Sequence, residues 1–183
     1  MRKPDLRYWV LWLFLLGIVF IVFLQVISGY NITRLVQGNK RLTEEMQVQN
    51  ALRKLQSQIL SVESDIRGAV ITNDTIYLSG VQAEIVTIYK DVKQIRRQYA
   101  RAPYANEIEK LEDFVLRKIA VSNSILRVFY QRGQTAAAKI INTGEGRIIR
   151  DSIEVVINRM DKFRQAELRK IAGSIERSGQ STR

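Results

Sequence analysis

The sequence contains no cysteine and no histidine. Without cysteine, disulfides and thiolate metal sites are excluded, and the redox compartment leaves no mark on the chain. Without histidine, the commonest general base and the commonest transition-metal ligand are missing, as is the imidazole that a histidine kinase phosphorylates. The Glu-x-x-His pairs of di-iron bundles are therefore impossible. No paired carboxylates or nucleophile constellation stand in their place, so the expectation is a chain with no enzymatic activity, no metal and no cofactor. Proline is also scarce: Pro103 is the only one beyond Pro4.

Charge is absent between Arg7 and Arg34, and the stretch YWVLWLFLLGIVFIVFLQVI from Tyr8 to Ile27 is almost wholly apolar. A run of about 20 such residues matches the hydrocarbon thickness of a bilayer, which places Tyr8, Trp9 and Trp12 at one membrane interface. The competing reading is a cleaved signal peptide, whose apolar region is usually about 7–15 residues and so shorter than this one. The reading adopted is a short tail at 1–7, an uncleaved anchor at 8–30, a helical domain at 34–178 and a tail at 179–183.

From Arg34 onward the pattern is helical. Leu52, Leu55, Ile59, Val62, Ile66 and Ala69 recur at spacings that alternate between three and four, the seam of bundled helices. The same alternation links Leu78, Val81, Ile85, Ile88, Val92, Ile95 and Tyr99, and then Ile108, Leu111, Val115, Ile119, Ser122, Leu126 and Phe129. A last series holds Ile149, Ile153, Val156, Met160 and Phe163, resuming at Leu168, Ile171 and Ile175. Each helix is amphipathic, so each needs the others to cover its apolar face.

Breaks fall between these series. Thr72-Asn73-Asp74-Thr75 offers capping side chains and, in Asn73, a residue tolerant of the left-handed conformation. Pro103 ends the second helix and suits the first turn of the third. Gly133 and Gly144-Glu145-Gly146 bracket a short connecting helix over Gln134–Thr143. Short connections imply antiparallel neighbours, so the expected fold is all-α: a transmembrane helix followed by an up-down-up-down four-helix bundle with long first and last helices. At 1.5 Å per residue, helix one from about Arg34 to Thr72 is roughly 58 Å long and helix two, from about Thr75 to Ala100, roughly 39 Å. The hairpin joining them lies away from the membrane.

That hairpin carries Glu63-Ser64, Arg67-Gly68, Thr72, Asp74, Tyr77 and Leu78, in an order that resembles the signature of the third type of CHASE domain. A second stretch, Thr143-Gly144-Glu145-Gly146-Arg147 with Asp151-Ser152-Ile153, resembles the segment leading into that family's last helix. The resemblance runs from about Leu35 to Ile175. Two positions depart from it: Ala69 stands where relatives usually have Tyr, and Asn73 where they have Gly. The resemblance implies a helical sensory module outside the membrane of bacterial histidine kinases, cyclases and chemoreceptor-like proteins. It also favours a cytoplasmic N-terminus, which the basic residues leave undecided: Arg2, Lys3 and Arg7 are matched by Arg34, Lys40 and Arg41.

Each of these residues also has a plain structural reading. Glu63 and Arg67 form an i, i+4 pair, which at a surface is worth about 0.3–0.5 kcal/mol. Gly68 inside a helix marks close packing or a bend, Asp74 a cap, and Tyr77 a packing residue with a polar tip. Of the net charge of +11, the +9 that follows the anchor, 26 Lys and Arg against 17 Asp and Glu, is spread along all helices and reads as solvated faces. Nucleic acid is not expected as a partner, since no groove-reading motif is present. The expected partners are the bilayer, a second copy in a parallel homodimer, and an unidentified ligand or partner membrane protein. The expected function is an anchored extracytoplasmic sensory domain without its own catalytic output, with an accessory binding partner of another membrane protein as the alternative.

Overall fold

The computed structural model describes residues 6–180. The side chains of residues 6–8, 10, 30–32, 34–35, 41, 171–172 and 174–180 are outside the described set. Of the expected tails at 1–7 and 179–183, residues 1–5 and 181–183 lie outside the described residues, as do the ring of Tyr8 and the side chains of Ile171 and Ile175, while 6–7 belong to the first helix and 179–180 to the last. The chain is helical throughout the described range: α1 Leu6–Thr72, a 3-10 turn Thr75–Leu78, α2 Val81–Gln98, α3 Ala105–Arg132, α4 Gln134–Asn142 and α5 Glu145–Gln180.

It divides into two compact units, Met1–Glu44 with Ile171–Arg183, and Glu45–Lys170. The first contains Leu11–Gly29, a helical stretch long and apolar enough to cross a membrane and with none of it buried. Trp9 and Trp12 are exposed at its start.

The second unit has one continuous apolar core. Leu52, Leu55, Ile59, Val62, Ile66 and Ala69 of α1 all face it, as do Val81, Ile85, Ile88, Val92 and Ile95 of α2. Ile108, Leu111, Val115, Ser122, Leu126 and Phe129 of α3 and Ile149, Ile153, Val156 and Met160 of α5 complete it. Leu78, Tyr99 and Ile119 reach it only partly. Phe163, expected inside, is 51% exposed, and Arg164 takes the inward position beside it at 4%. The inward stripe of α5 continues Ile153, Ile157, Met160, Arg164, because the α-helical period slightly exceeds a strict 3.5-residue repeat.

Cross-helix pairs give the direction of the helices. Lys54–Asp91 at 2.9 Å and Ser61–Glu84 at 3.4 Å join α1 to α2. Lys93–Glu112 at 2.5 Å and Arg96–Glu109 at 3.2 Å join α2 to α3. Glu45–Arg164 at 2.8 Å and Glu63–Arg150 at 3.5 Å join α1 to α5. In each set the numbers rise on one helix as they fall on the other, so these neighbours run in opposite senses.

Two expected boundaries are corrected. The second helix does not run from Thr75 to Ala100: Thr75–Leu78 is a 3-10 turn, and the chain reverses at Gly80, whose φ of 89° a side chain would resist, before α2 begins at Val81. Pro103 does not sit in the first turn of the third helix, because the buried Tyr104 caps it and α3 starts at Ala105. Asn73 does adopt the left-handed conformation, with φ 55°.

Candidate functional site

Two segments of α1 and α5 that are far apart in sequence meet around a single carboxylate. Glu63 sits on the inward side of α1 because it follows Val62 in the seam, and its side chain is only 10% exposed. Glu63 and Arg67 were expected to form a surface ion pair; the pair forms at 2.7 Å, but it is the edge of a buried cluster. Lys118 of α3 donates to Glu63 Oε2 at 2.7 Å and to the carbonyl of Gly146 at 2.9 Å. Arg150 of α5 reaches Glu63 Oε1 at 3.5 Å, and its other guanidinium nitrogen donates to Asp151 at 3.2 Å. One carboxylate thus faces three cations.

Lys118 is buried, and burial pushes its ammonium below the usual lysine value. The hydrogen bond and charge of Glu63 push the other way, while the charges of Arg150 and Arg67 add to the lowering. Its ammonium has three donors, and two have acceptors in the structure. Breaking such a buried cluster by removing one partner is costly, because the remaining charge is left without its counterion.

The two motif glycines at this end are spacers. A Cβ on Gly146 would lie 3.3 Å from Lys118 Nζ. A Cβ on Gly68 would lie 3.0 Å from the ring of Tyr77, so Gly68 lets the hairpin fold back on α1. Around the hairpin, Asp74 accepts a hydrogen bond from the backbone N–H of Ile76 at 2.9 Å and caps the 3-10 turn. Thr72 donates to the carbonyl of Gly68 at 2.8 Å, and Leu78 packs on the core. In the second motif Gly144 is left-handed with φ 76°, as the turn into α5 requires, and Glu145 is an exposed first-turn residue whose N–H bonds Thr143 Oγ1 at 3.3 Å.

Beside the cluster is an open cleft of about 380 Å³, part of it continuous with solvent. Its polar side consists of Glu63, Arg67, Lys118, Ser122 and Arg147, and its apolar side of Ile66, Val121, Ile125, Ile140 and Ile141. The structure therefore brings Glu63, Arg67, Gly146 and, through Arg150, Asp151 into one place, and leaves Asp74, Tyr77 and Gly144 in the turns and Thr72 and Glu145 at the helix ends beside them. Lys118 and Arg150 were not singled out from the sequence, and Arg147 only as the last residue of the second motif. Lys118 had a readable signal: the alternation from Leu111 and Val115 leads to it and then to Ser122.

A second cluster lies nearer the other end of the unit. Arg164 donates through Nε to Glu45 Oε2 and through a terminal nitrogen to the Glu45 carbonyl, both at 2.8 Å, and to Asp161 at 2.7 Å. Tyr104 is buried beside it; burial, reinforced by the Glu45 charge, pushes its hydroxyl up to about 12. Among the described residues no group of His, Cys, Asp or Glu side chains could hold a metal ion. A family model of the CHASE3 domain matches residues 38–174. No curated protein and no solved structure matches the chain.

Proposed function

The chain belongs to the CHASE3 domain family, a sensory extracellular family of bacterial signal-transduction proteins, and on that premise we propose that it is the membrane-anchored extracytoplasmic input domain of a receptor. The match over residues 38–174 carries the reading. The apolar helix at Leu11–Gly29 supports a single-pass anchor, and the extracellular placement of the family favours an N-terminus in the cytoplasm. The opposed order of the cross-helix pairs supports an up-down-up-down bundle of α1, α2, α3 and α5, with α4 as a connector.

In this reading the Glu63 cluster couples the N-terminal end of α5 to α1 and α3. A change there shifts α5 against α1, and the Arg164–Glu45 clasp carries the shift to the far end of the unit. Two copies associate in parallel through α1 and α5, where Met46, Leu60, Val155 and Phe163 leave apolar surface exposed. A C-terminal alkaline phosphatase fusion tests the orientation: it is active if the domain is extracytoplasmic, and a bright cytoplasmic fluorescent reporter at that end overturns the reading. In a chimera that continues α5 into a second span and a cytoplasmic kinase, Glu63→Gln changes kinase output; output unchanged by it and by Lys118→Met removes the input role.

A further inference from the structure

The buried cluster holds more positive charge than its one carboxylate offsets. Glu63 is shared by Lys118, Arg67 and Arg150, and only Arg150 has a further acid, the exposed Asp151. Arg147, on the next turn of α5, lines the same cleft and has no acidic partner among the described residues. Only Lys118 is desolvated, Arg67 and Arg150 being 44% and 32% exposed, and a local excess of cations over carboxylates favours the arrival of an anion. The cleft is where one can: Lys118, 6% exposed, has acceptors for two of its three ammonium donors and lines the cleft together with Arg67 and Arg147. The first backbone N–H groups of α5 begin at the adjacent Glu145, and their positive end adds to the same field.

The lining narrows the class of anion, because the cleft is open and sets a cationic side, Lys118, Arg67 and Arg147, against an apolar one. Val121, Ile125, Ile140 and Ile141 line its apolar side, which offers nothing to a halide, a phosphate or a sulfate but covers a short hydrocarbon chain. We propose that this cleft binds a small monocarboxylate, its carboxylate on Lys118, Arg67 and Arg147 and its carbon chain on the apolar wall formed by α3 and α4. The ligand joins α1, α3 and α5 at one point. As an input signal it rests on the sensory reading above; as a binding site it does not.

The test is calorimetric titration of the full chain in lipid nanodiscs with acetate, butyrate, inorganic phosphate and chloride at constant ionic strength. Butyrate binds saturably, more tightly than acetate, and phosphate and chloride give no saturable heat. Arg147→Gln, a change at an exposed position, weakens butyrate by at least about tenfold. Arg127→Gln, exposed elsewhere on α3, leaves it unchanged. No saturable butyrate signal, phosphate or chloride binding as tight as butyrate, or equal loss in both arginine variants overturns the proposal. In the kinase chimera the two readings separate. Butyrate binding with output unchanged by the ligand or by the cluster substitutions keeps the site and removes the sensory role; output altered by Glu63→Gln without butyrate binding does the reverse.

Discussion

Lys118 and Glu63, 55 positions apart on α3 and α1, meet at 2.7 Å with both side chains buried. Their dependence on each other is unequal. Glu63 without Lys118 still has Arg67 and Arg150, whereas Lys118 without Glu63 has only the Gly146 carbonyl. Glu63→Gln is therefore expected to destabilise by about 3–5 kcal/mol and Lys118→Met by less, since Met fills the stem's volume and leaves a paired carboxylate. Adding Lys118→Met to Glu63→Gln should recover part of the loss. Thermal unfolding of the four proteins in the same detergent checks the order; a Lys118→Met cost at least as large as that of Glu63→Gln removes the argument.

Gly68 and Tyr77 form a second dependent pair. Alanine is favoured over glycine in a helix interior by about 1 kcal/mol, but a Cβ at position 68 meets three atoms of the Tyr77 ring at 3.0–3.3 Å. In the natural background Gly68→Ala should gain little or lose stability as the ring is displaced. With Tyr77→Ala already present, the same change should stabilise by about 1 kcal/mol. A double-mutant cycle with no coupling would show that the ring does not rest on the glycine.

Much of this core was legible because its spacing is regular: every residue from Leu52 to Ala69 in the first seam is buried. The same regularity concealed the break at Gly80. Leu78, Val81 and Ile85 keep the spacing of three and four across a point where the chain turns, so periodicity carries no trace of it. Charged residues at seam positions were read as solvated faces, yet Lys118, Glu112 and Arg164 are buried because partners on other helices satisfy them. Those partners are set by the fold and are not adjacent in sequence. The motif residues Glu63, Arg67 and Gly146 meet in one cluster, and Lys118 and Arg150 join it through packing.

Tyr104 and Lys118 tilt stability in opposite directions with pH. Tyr104 is held up to about 12 by burial and by Glu45, against an ordinary value of 10.0. Between these values the unfolded chain has lost a proton that the native state keeps, so Tyr104's contribution is complete below pH 10 and disappears as pH rises through about 12. Lys118 is lowered, so below its ordinary 10.5 the unfolded chain holds more protons, and stability rises with pH across the window from its lowered value to 10.5. Tyr104→Phe should flatten the alkaline fall, and Lys118→Met the rise that precedes it. Unfolding midpoints measured from pH 8 to 12 for both variants against the natural chain check the two signs separately.

Parallel association through α1 and α5 makes a geometric demand that the composition helps to test. In a two-fold pair whose members share one membrane orientation, a residue close to the axis meets its own copy. Leu60 is 51% exposed on α1, while Tyr89, 47% exposed, is on α2. The chain has no native cysteine, so each engineered thiol is alone. Leu60→Cys should form a disulfide-linked dimer in the membrane under mild oxidation, since a disulfide requires Cα atoms within about 7 Å. Tyr89→Cys should remain monomeric on the same gel. Cross-linking at Tyr89 with none at Leu60 would move the interface to α2 and leave the exposed apolar residues of α1 to another partner.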